Sequence, residues 1–545
     1  IETYIPGVIG HMRDIQSRLR TLYDTLEKQY GEVPANCLNL RLADDMIEQI
    51  LKKPEKMPTR IEEISVGSGS ITNLLVELIN KWKNQGLSLD RIYLMEKGTE
   101  LPAANGSFWS NLINGVKRFF NALTSREANY SASATGDRQT LSVWVNRSVP
   151  YVETMQMLAD SRYKGVDADG NPLSVQFSIM PDEGKLLLAN ASNTCPDVAL
   201  SVTGDRAYQL GLRHAVAPLS DFPDFTGYIT GKFLDSAFEP YLHDGRVYGL
   251  PETQTFPVLF YRKDILSALR LAIPRTWDDV IVMLPMLQKS KMSFGLPSAI
   301  ATPTGGMNYK NLLLLLFQNG GELYTKDAKA TLLDSPTAVD AFSFMTSLYT
   351  DYGLYKEYNF LNQFRAGSVP IGISDYSLYN QLSVFAPELE GIWDFTSVPG
   401  TVREDGTIDR TVPGEVNACM ILSKSKQPEK AWEFVKWWTS AETQAKFGKE
   451  LESTMGTAAR YPTANLEALY SIPWSKADFE KIKAQMEWLK GVPEVPGGYY
   501  TQRYMDFAFK DVVNAGEDPA KMLTEAARNI NNEISMKREE FGLEK

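Results

Sequence analysis

The sequence predicts an α/β protein preceded by an all-α segment. Three observations carry that expectation. Before about residue 135 the apolar residues recur at helical spacing. After a polar linker, short β-rich runs alternate with helical ones. Strand-bearing segments then give way to helices and later return, as when two lobes share a chain that crosses between them more than once.

Taken in order, Met12, Ile15, Leu19, Leu22 and Leu26 form one stripe of a helix. A second stripe runs through Ile71, Leu74, Leu75, Leu78 and Trp82, and a third through Phe108, Leu112, Val116, Phe119 and Phe120. Breaks at Gly31 to Asn36 and Pro102 to Ser107 separate them, so residues 1–135 read as a small helical bundle. Ser125 to Thr140 is polar and small-residue rich, a linker.

Leu141 to Asn146 is a first strand, Tyr151 to Tyr163 a helix, Val175 to Met180 a second strand and Pro196 to Leu200 a third. This rhythm predicts a parallel sheet with right-handed crossovers. Thr276 is the expected N-cap of a helix whose first turn is acidic. Asn311 to Phe317 is an apolar helical run stopped at Gly320-Gly321. Strands return at Val369 to Asp375 and Ala418 to Leu422, followed by the aromatic helix Ala431 to Trp438 and a last amphipathic helix.

The bulk properties narrow the function. With 43% apolar and 23% charged residues among 545, the chain has the composition of an ordinary globular protein with a large core. A net charge of −11 disfavours a surface that tracks nucleic-acid phosphates. Cys37, Cys195 and Cys419 have neither metal-ligand nor redox spacing. No apolar run approaches the ~18 residues of a membrane span. The chain begins at Ile1 without a signal peptide, which leads us to expect that a targeting or anchoring segment has been removed.

Four stretches, in this order, resemble the family 1 extracellular solute-binding proteins, the sugar-binding components of ABC importers. They are NTCPDVALSV (Asn193 to Val202), GRVYGLPETQTFPVLFYRKDIL (Gly245 to Leu266) with IPRTWDDV after it, FRAGSVPIGISDY (Phe364 to Tyr376), and SKSKQPEKAWEFVKWWTSAETQAKFG (Ser423 to Gly448). The resemblance covers roughly residues 138–545. It implies a two-lobed periplasmic-binding-protein-like fold of type II, with 138–256 and 412–455 in one lobe and 257–411 and 456–545 in the other. It also implies a carbohydrate ligand, an ABC permease as partner, a monomer at the cell surface on a lipoprotein or other tether, and no cofactor, metal or catalytic residue. The helical segment departs from the shorter family members and is similar to what longer Gram-positive relatives carry. PGEVNACMIL (Pro413 to Leu422) departs from a Gly-Gly-rich turn.

A sugar presents apolar CH faces and dense hydroxyls, so its site needs aromatic platforms and flat polar side chains. Where the resemblance places the cleft, the candidates are Trp144, Asn146 and Arg147 after the first strand and Asp205 after the third. Gln254 lies at the crossing strand, Asp375 and Tyr376 at the end of a second-lobe strand, and Glu415 on the returning crossover. Tyr499 and Tyr500 precede the last long helix. The plainer readings are a core role for Trp144, a surface charge for Arg147, a helix N-terminal acid for Asp205 and a hinge role for Gln254. Trp432, Trp437 and Trp438 have core spacing, and Asp167 to Asn171 reads as a turn rather than a calcium loop.

Two rivals remain. A glycoside hydrolase needs two carboxylates across a cleft, but no segment resembles a hydrolase motif, and His11, His214 and His243 are the only histidines. A ligand-sensing surface protein would use the helical segment to dock a receptor.

Overall fold

The computed structural model describes residues 7–30, 38–55, 57, 71, 74, 75, 78, 140–166, 170–180, 182–296, 307–356 and 358–543. The chain divides into an N-terminal unit within Ile1–Ala128 and a larger one from Asn129 onward.

In the first unit, α1 (Val8–Tyr30) and α2 (Leu38–Leu51) bury Leu19 against Leu40, Ala43, Ile47 and Ile50. The Arg20 guanidinium fixes their register by donating to Asp44 at 3.0 Å and Glu48 at 3.0 Å. Of the predicted first stripe, Leu19 is buried and Met12 and Leu26 pack partly against the same core, while Ile15 and Leu22 are exposed, 41% and 37%. Ile71 and Leu78 join this core, while the stripe from Phe108 to Phe120 lies outside the described residues.

The larger unit begins with β1 (Thr140–Val145), α3 (Val149–Arg162), β2 (Ser174–Ile179), α4 (Gly184–Ser192), β3 (Val198–Thr203) and α5 (Gly204–Leu212). Next come β4 (Leu250–Thr255), β5 (Pro257–Arg262), α6 (Trp277–Lys289), β6 (Phe294–Gly295), α7 (Tyr309–Gln318), α8 (Pro336–Thr350), β7 (Ile371–Asp375), α9 (Leu378–Phe385) and β8 (Trp393–Thr396). β9 (Glu415–Ile421), α10 (Pro428–Trp438), α11 (Ala441–Met455), α12 (Thr501–Ala515) and α13 (Pro519–Glu540) follow, with shorter elements between them.

The two larger sheets among the described residues have the orders β2-β1-β3-β9-β4 and β8-β5-β7-β6. β1 pairs in parallel with β2 and β3, as the strand–helix rhythm predicts. β9 runs antiparallel to both β3 and β4, so the first sheet is mixed rather than wholly parallel. The physical reason is the crossing: β4 leaves for the other lobe and β9 comes back, so the two must run oppositely.

Each sheet has its own core. Leu141, Val143, Val145, Phe177, Trp432, Trp438 and Phe447 pack on one face of the first sheet, and Met180, Leu186, Leu210 and Tyr241 on the other. Trp432 and Trp438 are therefore core, as their helical spacing predicts. The second core joins β5, α7, α8, β7, α12 and α13. There α6 opens with a capping box: the Asp279 N–H donates to Thr276 Oγ1, and Asp279 Oδ2 accepts from the Thr276 N–H. Val166 and Pro172 close an antiparallel turn, whose residues Asp167 to Asp169 lie outside the described ones.

The chain crosses between lobes at three adjacent places. β4 runs into β5 at Phe256, and Glu415 at the start of β9 lies opposite Thr255. The third crossing follows α11: the Gln254 N–H donates to Pro462 O at 2.9 Å and the Ala464 N–H to Glu252 O at 2.9 Å. Tyr461 and Ala464 still pack in the first lobe's core.

Candidate ligand cleft

The first-lobe candidates stand at or just beyond the carboxyl ends of β1 and β3, the end of an open α/β sheet at which ligands bind. Side chains alternate along β1, so Trp144 faces away from Val143 and Val145, and Asn146 and Arg147 follow in the bend beyond the strand. Trp144 is half-buried against the smaller core. Asn146 Nδ2 donates to Glu183 Oε1 at 2.7 Å, and Glu183 also accepts from Thr203 Oγ1 at 2.7 Å. Arg147 Nε donates to Ser201 Oγ at 3.0 Å. Asp205 sits in the first turn of α5, where the helix dipole favours its charge.

The second lobe contributes Lys310, which donates to Asp375 Oδ2 at 3.0 Å and also to Glu415. Burial opposes the Lys310 charge, but Asp375 and Glu415 outweigh it and hold the ammonium above the ordinary lysine range. Tyr376 is 3% exposed: its ring stacks on Phe256 at 4.6 Å, and its hydroxyl donates to Gln254 O at 3.3 Å. Gln254, itself buried, belongs to the crossing strand β4, and Tyr376, just after β7, packs on that crossing. Trp474 and Tyr379, rings 5.0 Å apart, continue this aromatic layer, and Arg460 lies 4.7 Å over Trp474.

Between the lobes, burial pushes the Glu494 carboxyl up to about 8, and the Asp205 charge adds to it. Tyr309, whose hydroxyl is buried without a hydrogen-bond partner, is held well above the ordinary phenol range, by burial first and then by Tyr324 and Glu494. The rings of Tyr499 and Tyr500 lie 4.3 Å apart, tilted by 35°, with Tyr499 40% exposed. On the same side Arg213 of the first lobe lies 5.1 Å over the Phe541 ring of the second.

The candidates thus fall into groups. Asp375 and Glu415 meet through Lys310; Gln254 and Tyr376 meet at the crossing; Tyr499 and Tyr500 pair; Asn146 and Arg147, after β1, take separate partners in Glu183 and Ser201. Sequence reasoning missed Lys310, Glu183 and Glu494. Lys310 had a signal: a cation in a helix's first turn opposes the dipole and calls for acidic partners. Chemically the cleft offers carboxylates, amides, cations and tyrosine faces, a set suited to hydroxyl-rich solutes. Among the described residues no three His, Cys, Asp or Glu side chains are grouped to hold a metal, and no helix is long and apolar enough to cross a membrane.

Comparison with known proteins matches this architecture. The family model for bacterial extracellular solute-binding protein matches residues 166–445, and that for the bacterial solute-binding protein 4-helix bundle domain matches residues 1–82. A Brucella abortus protein named as a binding protein is 23% identical over 413 residues, 73% of this chain and 93% of its own length. The sugar-binding protein MalE from Xanthomonas citri superposes with a TM-score of 0.61 at 17% identity, covering 75% of this chain and 100% of that one. An ABC substrate-binding protein from Listeria monocytogenes, in complex with cycloalternan, gives 0.55 at 18% identity over 73% of this chain and 99% of its own.

Proposed function

Since the chain belongs to the bacterial extracellular solute-binding protein family, we propose that it captures a carbohydrate, specifically an oligosaccharide, between its lobes and delivers it to an ABC permease. The observation that carries the reading is the geometry of the crossings. Three adjacent segments join two sheets, so the walls move as bodies about a narrow hinge while the ligand groups stay fixed on strand ends. The cycloalternan and maltotetraose complexes among the structural neighbours support a sugar as cargo.

In this reading Asn146, Arg147, Asp205, Asp375 and Glu415 bind hydroxyls and Tyr499 and Tyr500 supply the stacking face. Trp144, Gln254 and Tyr376 support the walls from beneath. Capture involves no chemistry: the ligand favours the closed form because only there does it touch both walls. The protein works as a monomer on the outer face of a Gram-positive cell, tethered as a lipoprotein, with the helical unit as spacer. A micromolar affinity, about −8 kcal/mol, is ordinary for such uptake.

A thermal-shift screen against mono- and oligosaccharides tests the reading, since a ligand bound only by the folded state raises the midpoint. We expect a shift with one glycan class that Asp205→Ala removes. No shift with any glycan sinks the carbohydrate assignment. A shift without transport in cells carrying the permease favours sensing.

A further inference from the structure

Ser201 is an anomaly inside β3. It is 2% exposed yet takes a left-handed φ of 59°, which non-glycine residues adopt only when their surroundings impose it. The β3–β9 register explains where it sits. Val202 faces Ala418 and Ala199 faces Met420, so Leu200 and Ser201 together oppose Cys419 alone. This is a bulge, a device that re-aims a side chain at a sheet's working end.

Glu252, on β4, imposes the conformation. Its Oε2 accepts from the Ser201 N–H at 2.6 Å and from Ser201 Oγ at 2.9 Å. Its Oε1 accepts from Trp438 Nε1 at 2.9 Å and from the Tyr461 hydroxyl at 2.9 Å. A carboxylate 1% exposed is tolerable only with such a full set of donors. Because the Ser201 hydroxyl gives its proton to Glu252, its oxygen is left to accept, and Arg147 Nε donates to it at 3.0 Å. The ring of Tyr461, held by the same carboxylate, lies 5.9 Å under the Arg147 guanidinium, within cation–π reach. Two routes therefore run from Glu252 to one side chain. The terminal nitrogens of Arg147 have no hydrogen-bond partner among the described residues and stand at the carboxyl end of β1.

We propose that Glu252 is a positioning residue which, through the Ser201 hydroxyl, aims Arg147 into the cleft. The assignment rests on the reading of that cleft as a capture site, with Glu252 touching no solute. It places a determinant of ligand geometry in the hinge, on the strand that crosses between the lobes.

The test reads Arg147 directly, without ligand. In nitrogen–proton spectra of the full chain, the Arg147 Nε–H signal is identified by its loss in Arg147→Lys, and its exchange with water is measured. Losing a charge-assisted hydrogen bond speeds that exchange by about tenfold or more. We expect this in Ser201→Ala and in Glu252→Gln, but not in Trp438→Phe, which removes a different donor to the same carboxylate. Unchanged exchange in Ser201→Ala overturns the proposal, and that variant decides the matter should Glu252→Gln fail to fold. Equal loss of protection in Trp438→Phe also overturns it, since the effect would then be general loosening. A glycan screen without a binder would defeat the functional reading while leaving this result intact.

Discussion

The ammonium of Lys310, in the second lobe, meets the carboxylate of Glu415, the first residue of the strand that carries the chain back into the first. The same ammonium holds Asp375 at the end of β7, so one cation ties a wall of the cleft to a crossing. Lys310→Met should weaken both. Because the Glu415 side chain is 57% exposed, solvent screens much of the gain, and we expect a loss of about 1 kcal/mol in urea denaturation. The Lys310 pKa is raised, so its contribution is complete below the ordinary lysine range and disappears only as pH rises through the raised value. A stability difference between wild type and Lys310→Met that vanished at neutral pH would contradict this.

Glu494 sets a different pH dependence. Its folded pKa lies near 8, against 4.5 for the free side chain. Between those values the folded chain holds a proton that the unfolded chain releases, so stability falls as pH rises through the window and levels off above it. Asp205 adds to the shift, and the charge of Glu494 in turn raises Tyr309, Tyr324 and Tyr208. Midway through the window the slope approaches the ~1.4 kcal/mol per pH unit of one proton. Denaturation at pH 5, 6.5 and 8 should show the decline in wild type and its flattening in Glu494→Gln. An equal decline in the variant would assign the effect elsewhere.

The fold was legible where local rules decide. Thr276 and Asp279 stand at capping-box spacing, and Trp432 and Trp438 lie on one helical stripe, so neither needs tertiary information. The strand from Val198 runs on through Thr203 because β9 pairs with it, a partner more than two hundred residues away. The antiparallel sense of β9 depends on the same distant pairing. The site was less legible. Tyr376 looks like a cleft aromatic from its place at a strand end, but a stacking partner, Phe256, takes its face. Lys310 carries a local signal, its charge in the first turn of α7, but Glu183 becomes recognisable only when Asn146 and Thr203 close on it.

The cysteines give a chemical check on burial. Cys419 is fully buried, and burial first, then the charge of Glu252, push its thiol well above the ordinary range. Burial also raises Cys195. Only the thiolate reacts. In a Cys37→Ala chain at pH 8, a disulfide reagent should therefore label Cys195 slowly and leave Cys419 silent until denaturant is added. Rapid labelling of two thiols in the folded chain would contradict the packing of β9.

Arg213 and Phe541 offer a way to separate closure from recognition. The guanidinium stands 5.1 Å over the ring, joining the end of α5 in the first lobe to the residue after α13 in the second. Neither side chain belongs to the proposed ligand groups, so removing either acts on closure. An exposed cation–π contact is worth about 0.5–1 kcal/mol, which corresponds to a two- to fivefold weaker Kd if the contact forms only on closing. Arg213→Ala and Phe541→Ala should each produce that loss for a glycan identified in the screen, expressed as faster release. The double variant should lose no more than either alone, because both remove one contact. Additive losses would mean that the two residues act separately, and an unchanged Kd would mean that the contact is equally present in the open form.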